Sequence, residues 1–453
     1  MSRLLIAAPK SGSGKTIITC TLINILKKRG LKVVSFKCGP DYIDPIFHKT
    51  VLEIPSRNVD TFMSDKETVL SILGENTKNG EFGLIEGVMG YYDGIGGVST
   101  AASSYGISSL SNTPVLLIYD VKGSSLTAAA VIKGMAEFKK NSNIKAVLLN
   151  RATEGVYNSL KNIIENETGV KVIGYLPELK DCEFKSRYLG LSLGESKEKV
   201  LEKINNISTV LEKTVDIDYL INLSKTAPDI KFSSEKVKSF AKGVKIAVAY
   251  DDAFNFYYQD NIDYLVKAGA EIKCFSPLKN ESVPNNANGL IIGGGYPELF
   301  AKELSENINT KNSIIKAVNS GMPLIAECGG FMYLNKAIKT DEGTFEMCGI
   351  FNSVCQNTKR LTHFGYVELT AQKNSVFGKA GTKLKGHEFH YYHCENEGNS
   401  FKAQKPLTGR NWECAFTNKN MYAGFPHLYF YSNLEAVNNY LNKCVEFKSR
   451  CSK

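Results

Sequence analysis

No apolar run in this chain reaches the ~18 residues that a membrane-spanning helix needs, so no membrane partner is expected. No two of the eleven cysteines form a CxxC pair, and their spacing matches no metal site. Most are therefore expected to be reduced core residues. Collagen-like and mucin-like bias is missing too: 43% hydrophobic and 22% charged residues make an ordinary globular balance. Nor is charge gathered in a tail. The formal +9 is spread along the sequence, which suits pockets for a nucleotide and a multiply anionic small substrate at least as well as nucleic acid. The opening Met-Ser-Arg-Leu-Leu-Ile-Ala-Ala is too short for a signal-peptide core and runs into a glycine loop that needs it. A cytoplasmic location is the expectation.

What is present is a long chain with two kinds of alternation. At 453 residues it exceeds one ordinary core. Up to about residue 190, short apolar runs alternate with helical patterns: Leu4–Ala8, Val33–Phe36, Leu84–Glu86, Val115–Asp120, Ala146–Asn150 and Val172–Leu176. Nearly continuous β-branched and leucine-rich runs predict parallel strands buried on both faces. Residues 193–243 are rich in lysine and glutamate and read as a partly helical connector. A second alternating set starts at Val244–Ala249 and continues through Ile272–Phe275, Gly289–Ile292 and Pro323–Ala326. The division expected is 1–192, a connector 193–243, and 244–445, with no internal repeat relating the halves.

Residues 11–16 read Ser-Gly-Ser-Gly-Lys-Thr, between a predicted strand and a predicted helix. That context makes a P-loop: backbone N–H groups of Gly12, Ser13 and Gly14 turn toward phosphate oxygens at a helix N-terminus. Lys15 would bridge the outer phosphates of ATP, and the Thr16 hydroxyl would ligate Mg2+. Pro9 stands where the first glycine of the motif is usual. Lys10 sits where some dimeric P-loop ATPases carry a second lysine reaching a neighbouring site, a route to a homodimer; a solvated loop lysine is the plainer reading. Asp41, in Gly-Pro-Asp-Tyr-Ile-Asp-Pro, follows the second strand. Glu86 ends the third like a Walker-B acid, and Asp93 lies in the glycine-rich loop beyond it. Singly such acids cap turns; three of them beside a P-loop point to phosphoryl chemistry. Asn150 ends another strand, where it could read an adenine edge or cap a turn.

Residues 323–332, Pro-Leu-Ile-Ala-Glu-Cys-Gly-Gly-Phe-Met, read as strand, sharp turn and helix around Cys328. A nucleophile elbow has this form: the thiol is lifted clear, Gly329 leaves a backbone N–H to an oxyanion, and the helix start is expected to lower the thiol pKa. Gly295, in Gly-Gly-Gly-Tyr-Pro-Glu, could supply a second oxyanion donor. Among six histidines, His427 is the expected base. His387, His390 and His393 form HxxHxxH, but an extended strand would send His390 opposite to the other two, which argues against a metal.

Taken in order, SGSGKT, FKCGPDYIDP, EGVMGYYDG, the Ser186–Leu191 stretch, FNFYY at Phe254–Tyr258, LIIGGGYPEL, AECGGFMYL and GHEFHY resemble the cobyrinic acid a,c-diamide synthase family over nearly the whole chain. The resemblance implies an α/β fold in two parts. The first is a P-loop NTPase (dethiobiotin-synthetase-like) parallel-sheet domain; the second is a class I glutamine amidotransferase domain. It implies ATP, L-glutamine and Mg2+, and a corrinoid substrate amidated on its a and c carboxylates. The family's roles fall on Cys328 and His427 for glutamine hydrolysis. They fall on Asp41, Tyr42, Ile43 and Asp93 for substrate and phosphoryl transfer, and on Thr16, Asp41 and Glu86 for the metal. Tyr188 replaces the histidine usual in SRHLGL, and Tyr429 stands where many triad amidotransferases carry glutamate, so no third member of the pair is assigned. Nickel-sirohydrochlorin or hydrogenobyrinic acid as substrate, and a partition-type ATPase switch, remain the competing readings.

Overall fold

Strand β1 (Arg3–Ala7) is buried along its whole length, as its Leu-Leu-Ile core requires. In the computed structural model, residues 1–78, 80–179, 196–233 and 237–451 are described; Tyr188 and the stretch around it lie outside them. The chain divides into two compact units, Met1–Glu235 and Lys236–Lys453.

Among the described residues, the first unit is a seven-stranded parallel sheet. Its strands are β1, β2 (Val33–Cys38), β3 (Ser56–Val59), β4 (Phe82–Glu86), β5 (Val115–Asp120), β6 (Ile144–Asn150) and β7 (Lys171–Leu176). Their order is β3-β2-β4-β1-β5-β6-β7. Helices α1 (Lys15–Lys28), α2 (Ile43–Thr50), α3 (Lys66–Thr77), α4 (Ser104–Ser111), α5 (Thr127–Glu137) and α6 (Glu154–Thr168) fill the crossovers. Six of the strands fall within a few residues of the expected runs. The seventh, β3, escaped because Ser-Arg-Asn-Val carries one apolar residue. The segment expected to be a connector is also different. It holds α7 (Lys197–Thr214) and α8 (Ile217–Ser224). Val200, Ile204, Ile207 and Leu211 repeat at helical spacing and are buried in the core against α1. Each such side chain stabilises the fold by roughly 1.5–3 kcal/mol, so α7 and α8 belong to the first unit, while the end of the 193–243 segment falls in the second.

The second unit carries a six-stranded sheet in the order β18-β19-β11-β10-β8-β9. Its members are β8 (Lys245–Ala249), β9 (Glu271–Phe275), β10 (Gly289–Ile292), β11 (Leu324–Glu327), β18 (Phe416–Asn418) and β19 (Met421–Gly424), all parallel but for β18. Around it lie α9 (Gln259–Lys267), α10 (Ala301–Glu306), α11 (Ile308–Asn319), α12 (Gly329–Leu334) and α13 (Leu434–Cys451). A second, mixed sheet was not foreseen. It contains β12 (Asn335–Thr340), β13 (Gly343–Glu346), β14 (Phe351–Ala371), β15 (Lys383–Cys394), β16 (Phe401–Gln404), β17 (Asn411–Cys414) and β20 (His427–Leu428). The register of β14 on β15 shifts twice between Asn357 and Gly365, which breaks the alternation that betrays a strand. Cys355 and Cys394 face each other in this ladder and form a disulfide, while the eight other described cysteines are free thiols. No helix among the described residues is long and apolar enough to cross a membrane.

Candidate active sites

The first site forms at the C-terminal ends of β1, β2 and β4, where open parallel sheets bind ligands. The loop after β1 turns through Gly12 and Gly14 at φ +77° and +90°, a left-handed region that favours glycine. Gly14 caps α1, whose first turn carries no acidic residue. The positive helix end is therefore left for an anion. Lys15 is buried and donates to the Met89 carbonyl at 2.6 Å. Burial, then repulsion from Lys37, pulls its ammonium down to about 8. Thr16 Oγ1 donates to Glu86 Oε1 at 2.5 Å, so the hydroxyl and carboxylate expected to hold Mg2+ already converge.

Lys37 and Asp44 were not assigned by sequence reasoning, yet they form the centre of this site. Lys37 Nζ reaches Glu86 Oε1 at 3.0 Å, pairs closely with Asp44, and lies 3.9 Å from Asp41 Oδ2. Burial opposes the Lys37 charge, but Asp44 and Glu86 outweigh it and hold the ammonium well above its ordinary value. The two acids then share one cation. Asp44 is held below the carboxylate range, because Lys37 outweighs burial, while burial and Asp44 push Glu86 up to about 8. His48 closes the cluster, 3.5 Å from Glu86 Oε2 and 3.0 Å from Ser35 Oγ. Burial pulls it down to about 4, so it is neutral at pH 7. A lysine inside a run as apolar as Val-Val-Ser-Phe-Lys-Cys was the available signal, since buried lysines are paired.

The remaining expected residues gather at the same edge. The Ile43 N–H donates to Asp41 Oδ1 at 2.9 Å as Tyr42 caps α2. Asp93 accepts from the Gly90 N–H at 3.0 Å, beside the Pro9 carbonyl. Asn150 braces the loop: its Nδ2 donates to the Ser13 carbonyl at 2.9 Å. It also lines a cavity of about 190 Å³ with Gly12, Gly14, Arg151 and Pro177. Lys10 is exposed, and its carbonyl accepts from Ser13 Oγ at 3.0 Å. The donor set of hydroxyl and carboxylates fits Mg2+, which takes one or two carboxylates plus substrate phosphates and not an all-protein cage.

The second site stands at the C-terminal edge of the six-stranded sheet. Cys328, between β11 and α12, has φ 48° and ψ −105°, a strained turn for a residue with a side chain. Neighbouring backbone holds it. The Cys328 N–H donates to the Gly424 carbonyl at 2.8 Å, and the Gly330 N–H to the Gly293 carbonyl at 2.9 Å. Glycine is required in the facing loop as well. A Cβ at Gly295, whose φ is +156°, would overlap the Ala253 carbonyl. A Cβ on Gly329 would lie 3.1 Å from the Gly295 N atom, so the two expected oxyanion donors are neighbours. Tyr257, a residue sequence reasoning did not single out, anchors that loop by accepting from the Gly293 N–H at 2.8 Å.

His427 is buried, with its ring against Gly294: a Cβ there would overlap the imidazole. Burial, then the neighbouring His387 and His390, pulls the imidazole down to about 3. The thiol ends up on the other side, which corrects the expected outcome: the Gly329 N–H at the helix start does lower it, but is outweighed. Burial first, then Glu298, push the Cys328 thiol up, and α12 has only six residues to oppose them. Thiol and imidazole are thus both neutral at rest. The three histidines of HxxHxxH disperse. His387 lies opposite His427 in the ladder, His390 stacks on Phe425 at 3.9 Å between centroids, and His393 bonds Glu397 at 2.7 Å. Among the described residues, no three His, Cys, Asp or Glu side chains gather as a metal ion requires.

Comparison with known proteins agrees with this division. Residues 4–188 match a family described as the CobQ/CobB/MinD/ParA nucleotide binding domain. Residues 245–435 match the CobB/CobQ-like glutamine amidotransferase domain. The chain is 39% identical to the cobyrinate a,c-diamide synthase of Caldanaerobacter subterraneus subsp. tengcongensis, over 98% of each chain. It is 38% identical to the protein of that name from Priestia megaterium, over 98% of each. It is 39% identical to that from Picrophilus torridus, over 98% of this chain and 99% of the relative.

Proposed function

The chain belongs to the cobyrinate a,c-diamide synthases, and from that premise we propose how its two sites divide a glutamine-dependent, ATP-driven amidation. The observation that carries the proposal is that the His427 ring lies against Gly294 and near Glu327, the neighbour of Cys328, while Gly295 lies against Gly329 on the other side of that turn, in a chain that also has a charged P-loop site.

At the second site His427 takes the thiol proton as the Cys328 sulfur attacks the side-chain carbonyl carbon of glutamine. The Gly295 and Gly329 N–H groups receive the oxyanion. His427 returns the proton to the leaving nitrogen, the C–N bond breaks, and ammonia departs. Water then cleaves the glutamyl thioester to glutamate. At the first site a carboxylate oxygen of cobyrinate attacks the γ-phosphorus of ATP, and ADP leaves. Gly12, Ser13, Gly14 and Lys15 bind the phosphates; Asp41, Tyr42, Ile43 and Asp93 face the substrate. Thr16, Asp41 and Glu86 would hold Mg2+, which supplies charge neutralisation on phosphate oxygens. Lys37 holds Glu86 and Asp44 in place. Ammonia attacks the acyl carbon, phosphate leaves, and an amide remains; the a and c side chains are processed in turn.

Cys328→Ala tests the division. Glutamine-driven amide formation should fall on the order of 10⁴-fold or more, while synthesis with added ammonium continues, with amides counted by mass spectrometry. Loss of both activities in a folded protein would refute two separable sites.

A further inference from the structure

Class I amidotransferases that use a triad place an acid against the histidine, and here the position two residues after His427 is Tyr429. Its hydroxyl points elsewhere, to Asp260 Oδ2 at 3.4 Å. A different carboxyl reaches the histidine. Glu327, the last residue of β11 and the neighbour of Cys328, has its Oε2 3.9 Å from His427 Nδ1. Its Oε1 accepts from the Leu428 N–H at 3.1 Å. One buried side chain thus grips the backbone directly after the base while its second oxygen faces the imidazole.

The register explains why. β11 runs parallel to β19 with Glu327 opposite Gly424, so the chain leaving β19 passes over the end of β11 on its way to His427. Beyond His427, Asn261 holds the same segment, donating to the Leu428 carbonyl and accepting from the Phe430 N–H, each at 2.8 Å. The ring itself sits against Gly294.

We infer that Glu327 is the positioning residue of the glutaminase pair, fixing the chain at His427 and accepting from Nδ1 when the imidazole takes the Cys328 proton. No bond to carbon or sulfur changes at Glu327: the Sγ–H bond breaks, an Nε2–H bond forms, and the Nδ1–H turns toward Oε2. A carboxylate here matters because the other groups facing the pair oppose charge separation. Burial opposes charge at both groups; His387 and His390 add to it at His427, and Glu298, Glu388 and Glu327 itself add to it at Cys328, so what the Glu327 carboxylate can stabilise is the imidazolium and not the thiolate. Burial pushes the Glu327 carboxyl up to about 8, so its ionisation falls where an assay can follow it.

The inference rests on the glutaminase reading above, and its test separates the two. In the full chain, Glu327→Gln keeps the shape and the acceptor for Leu428 but cannot carry the charge. Glutamine hydrolysis should lose on the order of 10²-fold in kcat with KM little changed. The step in its pH profile that follows Glu327 ionisation should vanish, and Glu327→Asp should recover at least half of the loss on a logarithmic scale. Ammonium-driven amidation should stay within about two-fold of the parent, as expected of a change that shares no partner with the residues of that site. A Glu327→Gln protein with the parent's rate and pH profile overturns the inference, and so does one that also loses ammonium-driven synthesis, because Glu327 would then serve the fold alone. If the parent itself hydrolyses no glutamine, it is the glutaminase reading that fails.

Discussion

In the first unit charge is assembled in advance, whereas in the second it is kept out. Around the P-loop, Lys37, Asp44 and Glu86 hold full charges or contest them within hydrogen-bond range, and Lys15 is buried with its ammonium on the Met89 carbonyl. Around Cys328 the reacting groups are a neutral thiol and a neutral imidazole, both buried. The scaffolding differs in the same sense. The phosphate loop is framed by side chains, Asn150 and Glu86, while the thiol turn is framed by glycines and main-chain hydrogen bonds. Phosphoryl transfer handles a substrate that is already multiply charged, so prepaid countercharge stabilises it from the moment it binds. Amide cleavage creates its charge only in passing. There, fixed N–H groups and close geometry stabilise the transition state without holding a thiolate that would react with anything nearby.

The largest expected effect breaks the charged half. Lys37→Met leaves Glu86 and Asp44 buried without their cation. Removing one partner of a buried ion pair costs about 3–5 kcal/mol, so the guanidinium unfolding midpoint of the full chain should drop sharply and ammonium-driven amidation should be lost. Adding Asp44→Asn should restore much of the stability, because one acid fewer then needs compensation. A Lys37→Met protein as stable as the parent would show that the ammonium is not what holds the two carboxylates.

The next effect probes the neutral half. Gly294→Ala puts a methyl where the His427 ring lies, and displacing a catalytic group by about 1 Å costs on the order of 10²-fold. Glutamine hydrolysis should fall by that factor. Overpacking of this kind costs about 1–3 kcal/mol, so the thermal midpoint should fall modestly while ammonium-driven synthesis hardly moves. If glutaminase activity persists, the ring does not work from the place where it rests, and steric framing is not the plan of this site.

The two halves also differed in how far they could be read from residues alone. Elements buried on both faces are nearly continuous apolar runs, and β1, β5 and β6 stood out on that account. So did both loops, because Gly12, Gly14, Gly295 and Gly329 occupy positions that glycine alone fills without strain or overlap. The long β14–β15 ribbon was hidden by its register shifts, and α7 by a charged face that resembles a linker. Lys37, Asp44 and Glu327 were visible as letters but not as partners. Lys37 meets Glu86 across 49 positions, and Glu327 meets His427 across 100, through pairings set by sheet order and not by spacing. Pairwise electrostatics of that kind belongs to the fold, whereas a glycine turn is legible one strand at a time.

Asn150 gives the smallest effect and the finest distinction. Its amide could brace the loop or read the base, and its Nδ2 donates to the Ser13 carbonyl with the Gly14 backbone pressed against it; a Cβ on Gly14 would lie 2.5 Å from that nitrogen. If bracing is the role, Asn150→Ala loosens the phosphate cradle without touching base selection. A lost hydrogen bond of about 1 kcal/mol corresponds to a roughly five-fold rise in KM, and the rise should be the same for ATP and for GTP in the ammonium-driven reaction. A rise confined to ATP would put the amide on the adenine edge instead. The first loop would then keep Glu86 as its side-chain frame without Asn150, and framing would separate the two sites less sharply, leaving charge as the main difference between them.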